Sequence, residues 1–279
     1  MSNKLFQYVK NIAVSVGISI RMIQFWRENR FNFLRYLASR FLPEKDEEFI
    51  FNNGISMVAP KGSHLSFLLW EIWHRQVYNP AGFELRPEYT VIDIGSNVGV
   101  FSIMAAKKCR RVISMEPASL SFSYLKRNAE ENSLRNLDLR NIAISSKEGK
   151  IELYKGSNIL ANSTKMKNNG EIVEIVNATT LSIILKEIGI VDFIKMDCEG
   201  EEFSVFRNLG KEELSRIRMI SMEYHEFPET GKVDELIMSL ERFGFDVKIV
   251  KAGGSNLLYA KQIVSIEGKD MNHTRRMIT

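Results

Sequence analysis

Acidic side chains close several short apolar runs of this 279-residue sequence. Asp93 precedes the turn Gly95-Ser96-Asn97-Val98-Gly99, and Glu116 ends the run from Arg111. Asp197 and Glu199 bracket Cys198, and Glu223 stands just before Tyr224-His225. Glycine at 95 and 99 lets backbone approach a ligand closely and adopt dihedrals closed to other residues. The helix N-terminus expected after them offers unpaired N–H groups and a positive dipole end, suited to a carboxylate or phosphate. A carboxylate at position 116, 21 residues after Gly95, can accept hydrogen bonds from both hydroxyls of a ribose.

Two cofactor classes share this geometry. A dinucleotide site expects G-x-G-x-x-G, but Asn97 stands at the middle glycine position and leaves G-x-x-x-G. Asp93 would put negative charge beside a pyrophosphate, whereas the same charge suits the ammonium of a methionine moiety. The residues therefore favour S-adenosylmethionine, with an NAD(P)-dependent oxidoreductase as the alternative.

At the reaction end the candidates are Asp197, Glu199, Glu223 and His225. Methyl transfer from a sulfonium to a hydroxyl needs a base within hydrogen-bond reach of the acceptor proton, and an imidazole suits neutral pH. The same four side chains could ligate one divalent ion; their spacing does not demand it, and no metal is expected. Lys195, on the opposite side of its strand from Met196, is placed either to neutralise these acids or to line the sheet's end. Cys198 reads as a small buried residue supporting the turn, and Tyr78 is placed to close over the cofactor.

These residues need a scaffold. Short apolar runs at Tyr89–Ile94, Arg111–Glu116, Leu137–Ile144, Val191–Asp197, Arg218–Glu223 and Asp246–Val250 read as strands. Helical stretches fall between most of them, at Val98–Lys108, Ser119–Asn132, Leu181–Ile188, Glu202–Asn208 and Lys232–Phe243. That alternation predicts a mostly parallel, doubly wound α/β sheet. The end differs: Val247–Val250, a Gly253-Gly254-Ser255 turn and Asn256–Val264 predict a terminal antiparallel hairpin. Upstream, a hairpin is expected over 46–60 and a helix over His64–Val77, broken by Asn79-Pro80-Ala81-Gly82. The polar stretch Gly156–Gly170 reads as a long loop of the functional kind. The expected divisions are a basic helical extension with its short hairpin over 1–60, the main domain over 61–267, and a tail over 268–279.

Composition bounds the rest. With 44% hydrophobic and 26% charged residues the chain is globular, which excludes a disordered tail, a collagen-like repeat and a disulfide-stapled miniprotein. Cys109 and Cys198 form neither a disulfide framework nor a zinc pattern, so a reducing, cytoplasmic setting is expected. The net charge of +4 is uneven, since residues 1–43 hold seven Lys/Arg against the single acid Glu28. The main body is therefore not basic, and no nucleic-acid partner is expected. The uncharged run Asn11–Ile20 is too short to span a bilayer. Packing on the main domain is the favoured reading of the basic segment, with peripheral membrane contact through 1–43 as a second and a non-catalytic membrane-surface module as a further alternative.

The motifs together resemble one family. Val91-Ile92-Asp93-Ile94-Gly95-Ser96-Asn97-Val98-Gly99 is similar to the first motif of FkbM-type methyltransferases, and Met115-Glu116-Pro117 to their E-P pair. Asn141-Ile142-Ala143-Ile144-Ser145 resembles the third-strand motif, and Lys195 through Glu202 the K-x-D-x-E-G-x-E signature. Met222-Glu223 matches the closing acidic strand end. The resemblance covers about residues 66–264 and implies a class I methyltransferase fold, a seven-stranded sheet whose last strand is antiparallel. It implies S-adenosylmethionine as cofactor, with contacts at Asp93, Gly95, Ser96, Asn97, Gly99, Glu116, Pro117, Asn141 and Ala143. It also implies a hydroxyl acceptor on a small molecule or carbohydrate. Ser96 departs from the family's usual alanine, and residues 1–60 match none of its motifs.

Overall fold

The computed structural model describes residues 46–51, 53–154, 172–226, 231–252 and 255–263. The central sheet uses β3 (Thr90–Ile94), β4 (Arg111–Met115), β5 (Leu137–Arg140), β9 (Phe193–Met196), β10 (Met219–Glu223), β11 (Phe245–Ala252) and β12 (Ser255–Gln262). Their order is β11-β12-β10-β9-β3-β4-β5. Pairings from β10 through β5 are parallel, while β12 runs antiparallel to both β10 and β11. The expected sheet and its terminal hairpin are both present. Strand order reverses at β3 and β9, and the crevice beyond the carboxyl ends of these strands is where an open α/β sheet binds ligands.

Apolar residues on alternate positions divide between two cores. Val91, Val112, Phe193, Met219, Leu257 and Tyr259 face one side; Ile92, Ile113, Ile194, Ile220, Leu258 and Ala260 face the other. The first is covered by α1 (Leu65–Leu69) and α2 (Val100–Ala106), the latter buried at all seven positions. The second is covered by α4 (Leu181–Ile188), α5 (Glu202–Arg207) and α7 (Val233–Arg242), which follow α3 (Ser119–Glu131) in the chain, with α6 (Lys211–Leu214) between the last two. Burial on both faces explains why β3, β9 and β10 read as nearly continuous apolar runs.

Upstream, β1 (Glu47–Ile50) and β2 (Ser56–Ala59) form the expected hairpin. Side-chain amides on α3 and at its C-cap hold it: Asn128 accepts from Val58 N at 2.7 Å and donates to Val58 O at 2.9 Å, and Asn132 accepts from Ser56 N at 3.1 Å. Phe49, Phe51, Met57 and Ala59 of this hairpin share the core of the main sheet.

Three expectations change. The helix predicted over His64–Val77 is α1 followed by a π-helical turn, Trp70–His74, and it ends before Val77. The run Leu137–Ile144 is two strands. Asn141 Nδ2 donates to the Glu116 and Pro117 carbonyls, both at 2.9 Å, and β6 (Ala143–Ile144) leaves for a second sheet. That sheet, ordered β6-β8-β7, contains β7 (Gly149–Tyr154) and β8 (Ile172–Thr179), neither of which was expected as a strand. The basic segment 1–43 with its expected helices, the Gly156–Gly170 loop, the turn glycines 253 and 254, and the tail 268–279 lie outside the described residues. Among the described residues no helix is long and apolar enough to cross a membrane.

Candidate active site

A cavity of about 560 Å³ opens at the β3–β9 switch point, within the range of roughly 300–1,000 Å³ usual for small-molecule and cofactor pockets. Its floor is the glycine turn. Gly95 adopts φ +73°, and a Cβ there would lie 1.8 Å from the Asp197 carbonyl oxygen. The ends of β3 and β9 therefore approach as closely as they do only because position 95 has no side chain. Gly99, at φ +91°, packs its Cα face against Leu125 of α3.

Glu116, at the end of β4, is buried in this floor. Its Oε2 accepts from Asn97 N at 2.8 Å and its Oε1 from Ala118 N at 2.9 Å. Burial raises its pKa and the two backbone N–H groups lower it, leaving it at about 7. Pro117, Ala118, Ile142, Ala143, Ile144 and Leu153 make an apolar slot beside it.

Register explains the next layer. Asp93 lies opposite Ser114 on β4 and Lys195 on β9. Lys195 Nζ stands 3.3 Å from Asp93 Oδ1 and donates to the Gly95 carbonyl at 2.7 Å. Ser102 on α2 donates to Asp93 Oδ2 at 2.5 Å. Burial disfavours the Lys195 ammonium, but Asp93 foremost, then Asp197 and Glu116, raise its pKa above the ordinary value. A buried, hydrogen-bonded ion pair thus fixes the glycine turn from beneath.

The other end of the cavity is acidic. Tyr78 OH lies 2.8 Å from Asp197 Oδ2 and 3.2 Å from Glu223 Oε2. Burial and these two carboxylates push its phenol well above the usual range. His225 Nδ1 is 3.3 Å from Glu202 Oε1, and Nε2 is 3.6 Å from Glu199 Oε2. Burial alone would lower the imidazole pKa; the hydrogen bond and charge of Glu202, with Asp197 and Glu199, outweigh it and push the value to about 10. His225 therefore holds its proton at neutral pH. Glu199, at φ +53°, is pushed up to about 7 by burial and then by Asp197. Glu223 is raised by burial and by Asp197.

Of the residues singled out from the sequence, Gly95, Ser96, Asn97, Glu116, Pro117, Ala143, Asp197, Glu199, Glu223 and His225 line this one cavity. Asp93, Gly99 and Asn141 stand behind its wall: Asp93 holds Lys195, Gly99 seats α2 against α3, and Asn141 fixes the carbonyls of Glu116 and Pro117. Two residues went unread. Glu71, on the π-helical turn, faces the cavity and is raised to about 7, first by burial and then by Glu223. A lone acid within Leu68-Leu69-Trp70-Glu71-Ile72-Trp73 was the available signal. Glu202 was read only as part of a motif, yet its fully buried carboxylate accepts from Cys198 N at 3.1 Å and Gly200 N at 3.0 Å.

A seven-stranded sheet with one antiparallel member, a glycine turn after β3 and an acid closing β4 together define the class I methyltransferase fold. The sequence model of the methyltransferase FkbM domain matches residues 93–247, more than half of the chain, and the protein belongs to that family. It is 24% identical to the 31-O-demethyl-FK506 methyltransferase FkbM of Streptomyces tacrolimicus, over 70% of this chain and 87% of that one. It is 25% identical to methyltransferase sdnD of Sordaria araneosa, over 72% and 89% respectively. The AMB antimetabolite synthetase AmbE of Pseudomonas aeruginosa is 25% identical over 66% of this chain, which spans only 11% of that protein's length. Among solved structures, the methyltransferase FkbM of Methylobacillus flagellatus KT superposes with a TM-score of 0.48 at 16% identity, covering 68% of this chain and 50% of that one.

Proposed function

We propose that this protein transfers a methyl group from S-adenosylmethionine to a hydroxyl of a small-molecule or carbohydrate acceptor. The observation that carries the reading is a single cavity with three chemically distinct parts. The apolar slot from Pro117 to Leu153 suits an adenine, Glu116 beside it suits the ribose hydroxyls, and the acidic end suits a sulfonium. The residues present fit the cofactor. A relative named for methylation at an oxygen supports a hydroxyl acceptor. Asp93 is already neutralised by Lys195, so its charge no longer argues against a pyrophosphate; family membership is what sets the nicotinamide alternative aside.

Bound S-adenosylmethionine supplies an activated methyl group, and the chain has three tasks. The first is orientation, which in well-aligned reactions contributes roughly 7–11 kcal/mol; the rigid glycine turn and Glu116 perform it. The second is exclusion of water by Tyr78 and by the wall from His64 to Ile72. The third is to receive the acceptor's proton. Asp197 and Glu223, which share the Tyr78 hydroxyl, present carboxylate oxygens for it. A thermal-shift titration with S-adenosylhomocysteine, beside NAD and NADP, tests the reading. A ligand at 100 times its Kd stabilises by about 2.7 kcal/mol. Stabilisation by the adenosyl ligand alone, weakened in Glu116→Ala, is expected; stabilisation by NAD or by none of the three overturns it.

A further inference from the structure

The acidic end of the cavity contains a set of metal-ligand groups of which the methyl-transfer reading uses only Asp197. Asp197, Glu199 and His225 each bring one ligand atom to within 4.8 Å of the others. Two neighbouring strand ends deliver them: β9 and β10 are parallel with Met196 opposite Met222, and the three residues follow directly. The set is mixed, two carboxylates with an imidazole, and all three are half-buried rather than exposed.

A fourth residue, outside the set, aims the imidazole. Glu202 on α5 is completely buried, and its Oε1 meets His225 Nδ1 at 3.3 Å. The same carboxylate accepts from the backbone N–H groups of Cys198 and Gly200, which flank Glu199. Glu202 thereby ties the imidazole to the loop bearing the two carboxylates and turns Nε2 toward Glu199 Oε2, 3.6 Å away. Metal-bound histidines characteristically have their second ring nitrogen held by a carboxylate or carbonyl, which fixes tautomer and orientation. Asp197 is held likewise, by Tyr78. Lys195, the lysine of the cavity wall, is engaged with Asp93 and the Gly95 carbonyl.

We propose that Asp197, Glu199 and His225 hold one divalent cation of the Mn²⁺ type, bound through carboxylate oxygens and an imidazole nitrogen. Binding displaces the Nε2 proton of His225 to solvent, because a ligating imidazole is neutral. Resting on the methyltransferase reading above, the cation binds the acceptor oxygen and makes its proton more acidic. The acceptor oxygen then bonds to the methyl carbon as the carbon–sulfur bond breaks and its electron pair returns to sulfur. The hydroxyl proton passes to Glu223.

The test is Mn²⁺ titration of the chelator-stripped full chain, followed by loss of the free-ion electron paramagnetic resonance signal. The expected result is one Mn²⁺ per chain, with affinity reduced at least tenfold in His225→Gln and in Asp197→Asn. Glu202→Gln, which touches no ion, should weaken binding about 10- to 100-fold. A cooperative thermal unfolding transition, retained in each variant without added ligand, verifies that it is folded. Failure to bind Mn²⁺, or binding that all three substitutions leave unchanged, overturns the proposal. S-adenosylhomocysteine binding without Mn²⁺ binding defeats the metal alone. Mn²⁺ binding that these substitutions weaken, with no adenosyl binding, supports the metal site and defeats the methyltransferase reading.

Discussion

The two ends of the cavity are built differently. Around Glu116 most parts come from strand ends that are close in sequence, between Asp93 and Ile144, and much of the work is done by backbone: a glycine turn, two N–H groups on one carboxylate, two carbonyls on Asn141. At the acidic end, side chains from separate segments converge. Glu71 and Tyr78 precede the residues that match the family model, and Asp197, Glu199, Glu223 and His225 arrive from two later strands. A site made from backbone geometry tolerates few sequences and leaves a signature. A site made from converging side chains can be altered one residue at a time.

The strongest test of this contrast removes what joins the two ends. Lys195 holds Asp93 beneath the glycine turn and lies 5.1 Å from the Tyr78 ring centre. Losing one partner of a buried ion pair costs about 3–5 kcal/mol. Lys195→Met should therefore destabilise the protein by about that amount in chemical denaturation, and weaken S-adenosylhomocysteine as well. An adenosyl affinity unchanged in this variant would mean that the glycine turn stands without its ion pair.

A second test addresses the Glu116 end alone. Its pKa of about 7 lies above the ordinary carboxylate value, so the folded state keeps a proton that the unfolded chain releases. The contribution to stability therefore falls as pH rises from about 4.5 to 7 and is level beyond. Ribose hydroxyls donate to the ionised form, so S-adenosylhomocysteine should bind up to about tenfold more tightly at pH 8 than at pH 6. Calorimetry on Glu116→Gln should give weaker binding from which this slope is missing. An equal slope in the variant would assign the titration to another group.

The same contrast explains what could be read from the sequence. Asp93, Gly95 and Glu116 declare themselves because residue type and short spacing carry their meaning, and the parallel sheet follows from apolar runs between amphipathic helices. The chain's turn at Asn141 does not declare itself, because a continuous run from Leu137 to Ile144 hides a change of sheet that side-chain hydrogen bonds impose. Strand β8 reads poorly because Ile172, Val173 and Ile175 are exposed, so its apolar pattern does not follow burial. Glu71 needs the π-helical turn to face the cavity, and Glu202 acquires its role only when β10 brings His225 beside it. His225 looked like a base for neutral pH from its type alone; the carboxylates folding gathers around it keep it protonated.

Smaller effects should mark the acidic end. Tyr78→Phe removes one hydroxyl from between Asp197 and Glu223 and leaves two partly buried carboxylates facing each other. A loss of about 1–3 kcal/mol in stability is expected, with adenosyl affinity changed less than threefold. Equal losses in stability and in cofactor affinity would show the two ends to be one unit.

The smallest expected effect has the opposite sign. Glu71 is raised to about 7, first by burial and then by Glu223, so its ionisation opposes folding. Below about pH 4.5 both states are protonated and nothing is lost; between about 4.5 and 7 the unfolded chain releases the proton first, and stability falls as pH rises. Glu71→Gln should remove this term and raise stability by about 1 kcal/mol at pH 8 once solvent screening is allowed for, with almost no change near pH 4.5. Thermal unfolding at the two pH values measures the difference directly. A variant less stable at pH 8 would show that Glu71 is held by a favourable partner such as Arg75, 3.8 Å away, and that the wall is not a site of accumulated negative charge. A gain confined to high pH would identify Glu71 as a residue retained at some cost in stability, as expected of a group that faces an acceptor or a cation.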